Sequence, residues 1–208
     1  MSNAERHSGE WGDSGVSSGA PVSRDARLYN SRIAQTYVEY IDRFHPDIDV
    51  ADLLEAAGTN RKEARDPAVW YTQDQVNRFH AAMSDAIDDP DICRKAGRFA
   101  SQARATGAVK QVALGLLSPG SFYVRMHRIM PLMARQATAR GRLIGPTKAE
   151  VITTPRPGAE EKAFQCENRI GSLEGASFIF TGRWPEIEHP ECIHRGDDRC
   201  RYEISWKR

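Results

Sequence analysis

From Asp25 onward apolar residues recur every three or four positions, the period of a helix with one buried face. Tyr29, Ile33, Tyr37, Ile41 and Phe44 form one such stripe, ending before Pro46. Asp49 is placed to cap a second, short helix over 50–57, with Gly58 as its C-terminal stop. Thr72-x-x-Gln75 has the form of a capping box and opens a third helix with Val76, Phe79, Met83 and Ile87 on one face. Asp89-Pro90 begins a fourth, with Ile92, Ala96, Phe99 and Ala103 inward. Past Gly107, residues 109–117 read as a short apolar helix. Ser118-Pro119 then supplies an N-cap and a proline at the first helical position. Phe122, Met126, Ile129 and Met133 follow at core spacing along that last helix.

After Gly141 the pattern shortens. Residues 148–154 read as a strand, Pro155 to Gly158 as a hairpin turn and 161–166 as the returning strand. A glycine-containing helix over 168–181 precedes a strand over 186–192 and a polar Gly196-Asp197 turn. Residues 199–206 then alternate strictly, placing Cys200, Tyr202, Ile204 and Trp206 on one inner face. Helices first and mainly antiparallel strands later predict an α+β fold. Residues 1–24 are rich in Ser and Gly, with Trp11 as their bulky residue, and are expected to form a disordered tail. Residues 25–208 are expected to form a single domain, with a helical half over 25–140 and a sheet-containing half over 141–208.

A length of 208 residues is enough for one well-buried domain, and a net charge of +1 argues against a nucleic-acid partner. No apolar run reaches the length of a membrane span and no signal peptide is seen, so a cytoplasmic location is expected. Nothing in the chain has the form of a nucleophile elbow, a phosphate-binding glycine loop or a His-Glu-x-x-His motif, so no catalytic residue is expected. The candidate chemistry lies in the cysteines. Three of the four, Cys166, Cys192 and Cys200, fall in the last quarter of the chain, with His189 three residues before Cys192. These four side chains suit a closed Cys3His zinc site, although a disulfide or ordinary buried thiols remain alternatives. Cys93, next to inward Ile92, reads as a small buried apolar residue, and His80 and His127 as partly exposed or hydrogen-bonded histidines. The aromatic and methionine face at Phe122, Tyr123 and Met126, with Phe99 from the fourth helix, reads as core or as the wall of an apolar pocket.

Cys192, Gly196-Asp197 and the run from Cys200 to Trp206 resemble the ending of the vinyl-reductase-type (4-vinyl reductase) small-molecule-binding domain of bacterial signalling proteins. More faintly, Leu53 to Gly58, Asp66 to Trp70 and Leu116 to Pro119 resemble the region that precedes this ending. The resemblance implies zinc held by Cys166, Cys192 and Cys200, with His189 at a position that is glutamate in phenol-sensing members; Glu188 and His194 are neighbouring alternatives. It implies a sensory input domain for a small apolar or aromatic molecule, coupled to a downstream kinase, cyclase or regulator, and a fold related to haem-based nitric-oxide sensors and Golgi-transport tethering subunits. A tetrapyrrole-related reductase, a haem-based gas sensor and a tethering-type interaction module are its alternatives. Haem is not expected, because the sequence shows neither a Tyr-x-Ser-x-Arg clamp nor a histidine with a proline at the usual spacing. A homodimer formed through the stripe from Tyr29 to Phe44 is a further expectation.

Overall fold

In the computed structural model, which describes residues 21–107, Gln111, Gly115 and 118–207, two-residue strands bracket the first helices. Strand β1 (Tyr29–Asn30) pairs antiparallel with β2 (Trp70–Tyr71), and between them run α1 (Ser31–Phe44), α2 (Val50–Ala56) and α3 (Arg61–Arg65). Each start has a chemical cause. The Asn30 side chain accepts from the Arg32 amide, Asp49 from the Ala51 amide, and Asn60 from the amides of Lys62 and Glu63. Helix α4 (Gln73–Ala86) opens with the expected reciprocal capping box between Thr72 and Gln75. Helix α5 (Ile92–Phe99) follows. The helix expected over 109–117 lies, Gln111 and Gly115 apart, outside the described residues.

The single helix expected from Phe122 to Met133 is three pieces: α6 (Pro119–Val124), α7 (Met126–Ile129) and a 3-10 turn at Met130–Leu132. Pro131 accounts for the last break, since it has no amide hydrogen to continue the ladder. A four-stranded antiparallel sheet then forms from β3 (Ala137–Gly145), β4 (Lys148–Pro155), β5 (Glu186–Glu191) and β6 (Cys200–Ser205), in the order β3-β4-β6-β5. The hairpin partner of β4 is therefore β3, and 161–166 is not a strand. Helix α8 (Ala163–Thr181) starts there, with the Lys162 amide donating to Gln165 Oε1 at 2.7 Å. Cys166 consequently sits on a helix. Strand β3 escaped notice because its buried face is only Ala137 and Ala139, flanked by Thr138 and Arg140.

The core has a helical cluster around Ile41, Leu54, Met83 and Ala96, and a sheet cluster around Tyr123, Val151, Leu173 and Tyr202. Tyr37 and Ile41, the middle of the first stripe, are buried within the chain itself, while Phe44 is exposed. The face expected to form a two-fold contact is thus largely used internally. Val22, counted with the tail, donates its amide to the Pro157 carbonyl at 2.8 Å. Among the described residues no helix is long and apolar enough to cross a membrane.

Helix α8 joins the two halves. It crosses α5 with backbones nearly touching: a Cβ added at Gly171 would lie 2.0 Å from the Arg94 carbonyl oxygen, and one at Gly97 would lie 2.3 Å from that of Asn168. Near this crossing Glu174, 2% exposed, receives Arg94 Nη2 at 2.6 Å and Arg98 Nε at 2.5 Å. The crossing fixes one face of α8 against the helices, so the other can carry chemistry toward the sheet.

Candidate functional site: a thiol cluster and an apolar cavity

Three elements deliver the cluster. Cys166 comes from the start of α8, Cys192 follows β5 and Cys200 opens β6. The three sulfur atoms lie within 4.8 Å of one another, and all three residues are buried. Cys166 and Cys200 are 3.7 Å apart, far beyond the roughly 2.05 Å of a disulfide, so these are free thiols. The turn between Cys192 and Cys200 is held by Asp197, whose Oδ2 accepts the Cys192 amide at 2.7 Å. Gly196 adopts φ +96°, a left-handed conformation that glycine enters without a side-chain penalty. The pairing of β5 with β6 shifts register between Glu188 and Glu191, at His189-Pro190. His189 stacks on Tyr202 with ring centroids 4.4 Å apart, and its Nε2 is buried with no hydrogen-bond partner. Glu188 and His194, the neighbouring alternatives, are exposed.

Electrostatics couples two of the thiols. The Cys166 thiol is pushed up, first by its hydrogen bond to Cys200 and then by burial. Cys200 is pulled down by the same hydrogen bond, against burial and with further help from His189. The group that closes to within 4.8 Å comprises the three cysteines, and His189 is not part of it. Such a donor set is chemically suited to a thiophilic metal ion.

The second feature is a cavity of about 240 Å³ lined by residues of α1, α4, the α6–α7 segment and α8. Of the four pocket residues expected from the sequence, Phe122 and Met126 line it. Phe99 instead packs edge-on against Tyr40 and Phe44. Tyr123 is fully buried beside Trp206 and donates to the Leu173 carbonyl at 2.9 Å. Spacing within one helix cannot tell which side of a broken segment faces a void.

Several lining groups were not singled out from the sequence. Gln165 Nε2 donates to the Tyr29 hydroxyl at 2.8 Å, Tyr29 donates to Gln73 Oε1, and Gln73 Nε2 donates to Gln165 Oε1 at 3.2 Å. Burial pushes Tyr29 up to about 12, against the Gln165 hydrogen bond and the charge of Arg169. Arg169 is itself compensated. It pairs with buried Glu161 and donates to Thr153 Oγ1 at 3.2 Å and the Tyr202 hydroxyl at 3.0 Å. His80 lines the cavity and stacks on Phe164, with centroids 3.8 Å apart and planes within 11°. Burial lowers its pKa, so the imidazole is neutral near pH 7 with a lone pair available. His127 faces solvent. Of these groups the sequence marked only Tyr29, at the start of the first apolar stripe, and His80, next to the stripe of its helix.

No family model and no curated protein matches the sequence. Solved structures do match. An H-NOX (haem NO-binding) protein from S. oneidensis in its Fe(II)NO ligation state superimposes with TM-score 0.66 at 15% identity, covering 86% of this chain and 99% of that one. An oxygen-binding H-NOX domain related to soluble guanylate cyclases, solved as its oxygen complex, gives TM-score 0.67 at 17% identity over 86% and 95%. A structure described under haem redox potential and porphyrin distortion gives TM-score 0.65 at 16% identity over 85% and 99%. At such identities the shared property is the fold, and it is the haem NO-binding fold. Two expectations are thereby corrected. The vinyl-reductase-type identity is not supported, because its residues, Cys192, Gly196-Asp197 and the last strand, form a local turn and cluster rather than a whole architecture. The choice of zinc as cofactor with haem set aside is corrected too, since the matching structures are haem proteins. A missing Tyr-x-Ser-x-Arg pattern excludes one way of gripping propionates, not a haem pocket.

Proposed function

We propose that this chain is a sensory domain that takes a small molecule into the cavity between its helices and α8 and passes the event to the sheet. The mainly apolar cavity within a haem NO-binding fold is the observation that carries the reading. Helix α8 gives it a route. Phe164, Asn168 and Leu173 line the cavity, Cys166 on the same helix belongs to the thiol cluster, and Arg169 is bonded to Tyr202 on the last strand. An occupant that favours one position of α8 biases β6, and through it whatever kinase, cyclase or regulator domain reads the signal.

The donor set fits a haem in chemistry. His80 offers a neutral imidazole inside an apolar wall, and haem held there would supply an iron centre that binds a diatomic gas. A second reading, a free apolar molecule, is favoured by size. The volume of about 240 Å³ falls below the roughly 300–1,000 Å³ of pockets for drug-sized ligands, and Phe164 lies flat on His80. A porphyrin needs that stack to open, whereas a smaller molecule does not. Haemin titration followed by absorbance separates the two. A saturable Soret band at one haem per chain, abolished in His80→Ala, is the result expected for haem. No Soret band, together with a raised melting temperature in apolar compounds, supports the free ligand. Neither response would overturn the sensory reading.

The second part of the proposal is that Cys166, Cys192 and Cys200, with His189 as the fourth side chain, hold one thiophilic metal ion that ties α8 to β5 and β6. The orphaned His189 Nε2 and the closeness of the three buried sulfur atoms support it. Elemental analysis of never-chelated, haem-free protein is expected to give about one metal per chain by the closed four-ligand stoichiometry. Cys192→Ser and Cys200→Ser are expected to lose most of it and to melt earlier, while Cys93→Ser retains it. Metal-free wild type with unaltered stability after chelation would contradict the site.

A further inference from the structure

The segment that walls the cavity has a second face. Phe122, Met126, Ile129 and Met130 line the void from α6, α7 and the 3-10 turn. On the outer side, at spacings of three or four residues, Val124, Arg128, Leu132 and Arg135 are exposed, with Arg125 beside them. From Ile92 to Ala149 the chain contains no acidic residue. Three arginines meet at the end of this ridge. The Arg135 guanidinium lies over the Trp70 ring, 3.7 Å from its centroid, with its Nε donating to the Pro131 carbonyl at 3.4 Å. Arg27 Nη1 donates to the Trp70 carbonyl at 2.8 Å, and Arg156 Nη1 to the Arg135 carbonyl at 3.4 Å. Their partners are thus a ring and backbone oxygens. Among the described residues none of Arg27, Arg125, Arg128, Arg135 and Arg156 pairs with a carboxylate, in contrast to Arg94 and Arg98.

We propose that this outer face docks an acidic, partly apolar segment of a partner protein, with its carboxylates on the arginines and its apolar side chains on Val124 and Leu132. Charge complementarity sets the sign, because guanidinium groups that have no carboxylate keep donors for paired bonds to one. The choice of residue sets the class. All five cations are arginine, which is enriched at protein interfaces where lysine is depleted, and Arg135 is held in position by its stack on Trp70. A nucleic acid or an anionic membrane is drawn by the summed field of many charges, and a net charge of +1 supplies little of it. The proposal rests on the sensory reading only for what the partner does there. An occupant that shifts Met126 or Met130 shifts the backbone that carries Arg128 and Leu132, so a protein seated on this face is one layer of side chains from the cavity.

The test is fluorescence anisotropy of the full, ligand-free chain with a labelled helical peptide of Glu, Leu and Ala, and with the same peptide carrying Gln for Glu. The Glu peptide is expected to bind, more weakly as salt is raised, and the Gln peptide to bind at least about tenfold less tightly. Arg128→Glu with Arg135→Glu is expected to weaken the Glu peptide by about tenfold or more. Lys62→Glu with Arg183→Glu makes the same change of charge on α3 and after α8, and is expected to cost less than about threefold. If the first pair does not fold, Arg128→Glu alone serves, since that residue is exposed. Equal losses in the two double variants would reduce the effect to net charge and overturn the proposal, as would a Glu peptide that does not bind. Sedimentation with phosphatidylserine-containing vesicles is run alongside. Capture by vesicles without binding of the peptide would assign the face to a lipid surface and overturn the proposal. None of these results bears on the cavity, which haemin and the apolar compounds test separately.

Discussion

Replacing Arg94 and Arg98 together by methionine is expected to destabilise the chain by about 3–5 kcal/mol, the cost of leaving a buried charge without its partners. Glu174 is 2% exposed, and its two oxygens receive four hydrogen bonds from the two guanidinium groups. The arginines are themselves partly exposed, so Glu174→Gln should cost less than the double arginine replacement. A single replacement leaves one guanidinium in place and should fall between. Urea denaturation at neutral pH measures all three. A double variant within about 1 kcal/mol of wild type, the scale of a surface pair, would show that the carboxylate is solvated after all.

The same site predicts a pH signature. Burial pushes the Glu174 carboxyl up, but hydrogen bonds from Arg98 and Arg94 outweigh it and hold the folded value below the ordinary one. Its stabilisation is therefore fully present above the unfolded value of about 4.3 and is lost as pH falls through the lower folded value. In the double variant only burial remains, so the folded value rises and the sign reverses. That protein should gain stability, relative to wild type, as the pH is lowered from neutral.

Gly171→Val is the second substitution with a large expected effect, about 3 kcal/mol or more, at the upper end of overpacking costs. The atom nearest the new Cβ is backbone, the Arg94 carbonyl oxygen at 2.0 Å, and the Arg98 amide nitrogen follows at 2.9 Å. No rotamer change can relieve such a contact; α8 has to lift from α5. Because α8 also carries Cys166 and one wall of the cavity, loss of stability should be accompanied by loss of ligand binding. Gly107→Ala is the control: nothing lies within 4 Å of a Cβ there, so a change of no more than about 1 kcal/mol is expected. A Gly171→Val protein as stable as that control would mean that the helices do not cross this closely.

Local signals foretold much of the helical half. The Thr72–Gln75 capping box, the Asp49 cap and the break before Pro46 depend on neighbours in sequence, and each appears where the residues place it. Non-local pairing was not legible in the same way. Strand β3 buries only alanines, so period two was too weak to see there. Residues 161–166 follow the Pro155 to Gly158 turn and were read as its returning strand, yet the Gln165 side chain caps a helix there. At the site, three cysteines close in space were anticipated from their residue types and the Gly196-Asp197 turn. The cavity was half legible. Phe122 and Met126 were found by chemistry, whereas Tyr29, His80, Gln136 and Arg169 reach it from four separate segments. The family, rather than the α+β fold, was misread for a related reason: a short terminal motif reports on a turn and a cluster, while the architecture is set by contacts spread over the whole chain.

The most direct test of the cavity as a small-molecule receptor is Ala34→Phe, which places a phenyl ring into the void from α1. Calorimetry should show one saturable site per chain in wild type, for haemin or for an apolar probe. Ala34→Phe should keep its fold, with a melting temperature equal to or above that of the unliganded wild type, and should bind neither. A well-folded Ala34→Phe protein that binds as tightly as wild type would contradict the assignment of this cavity as the receptor site.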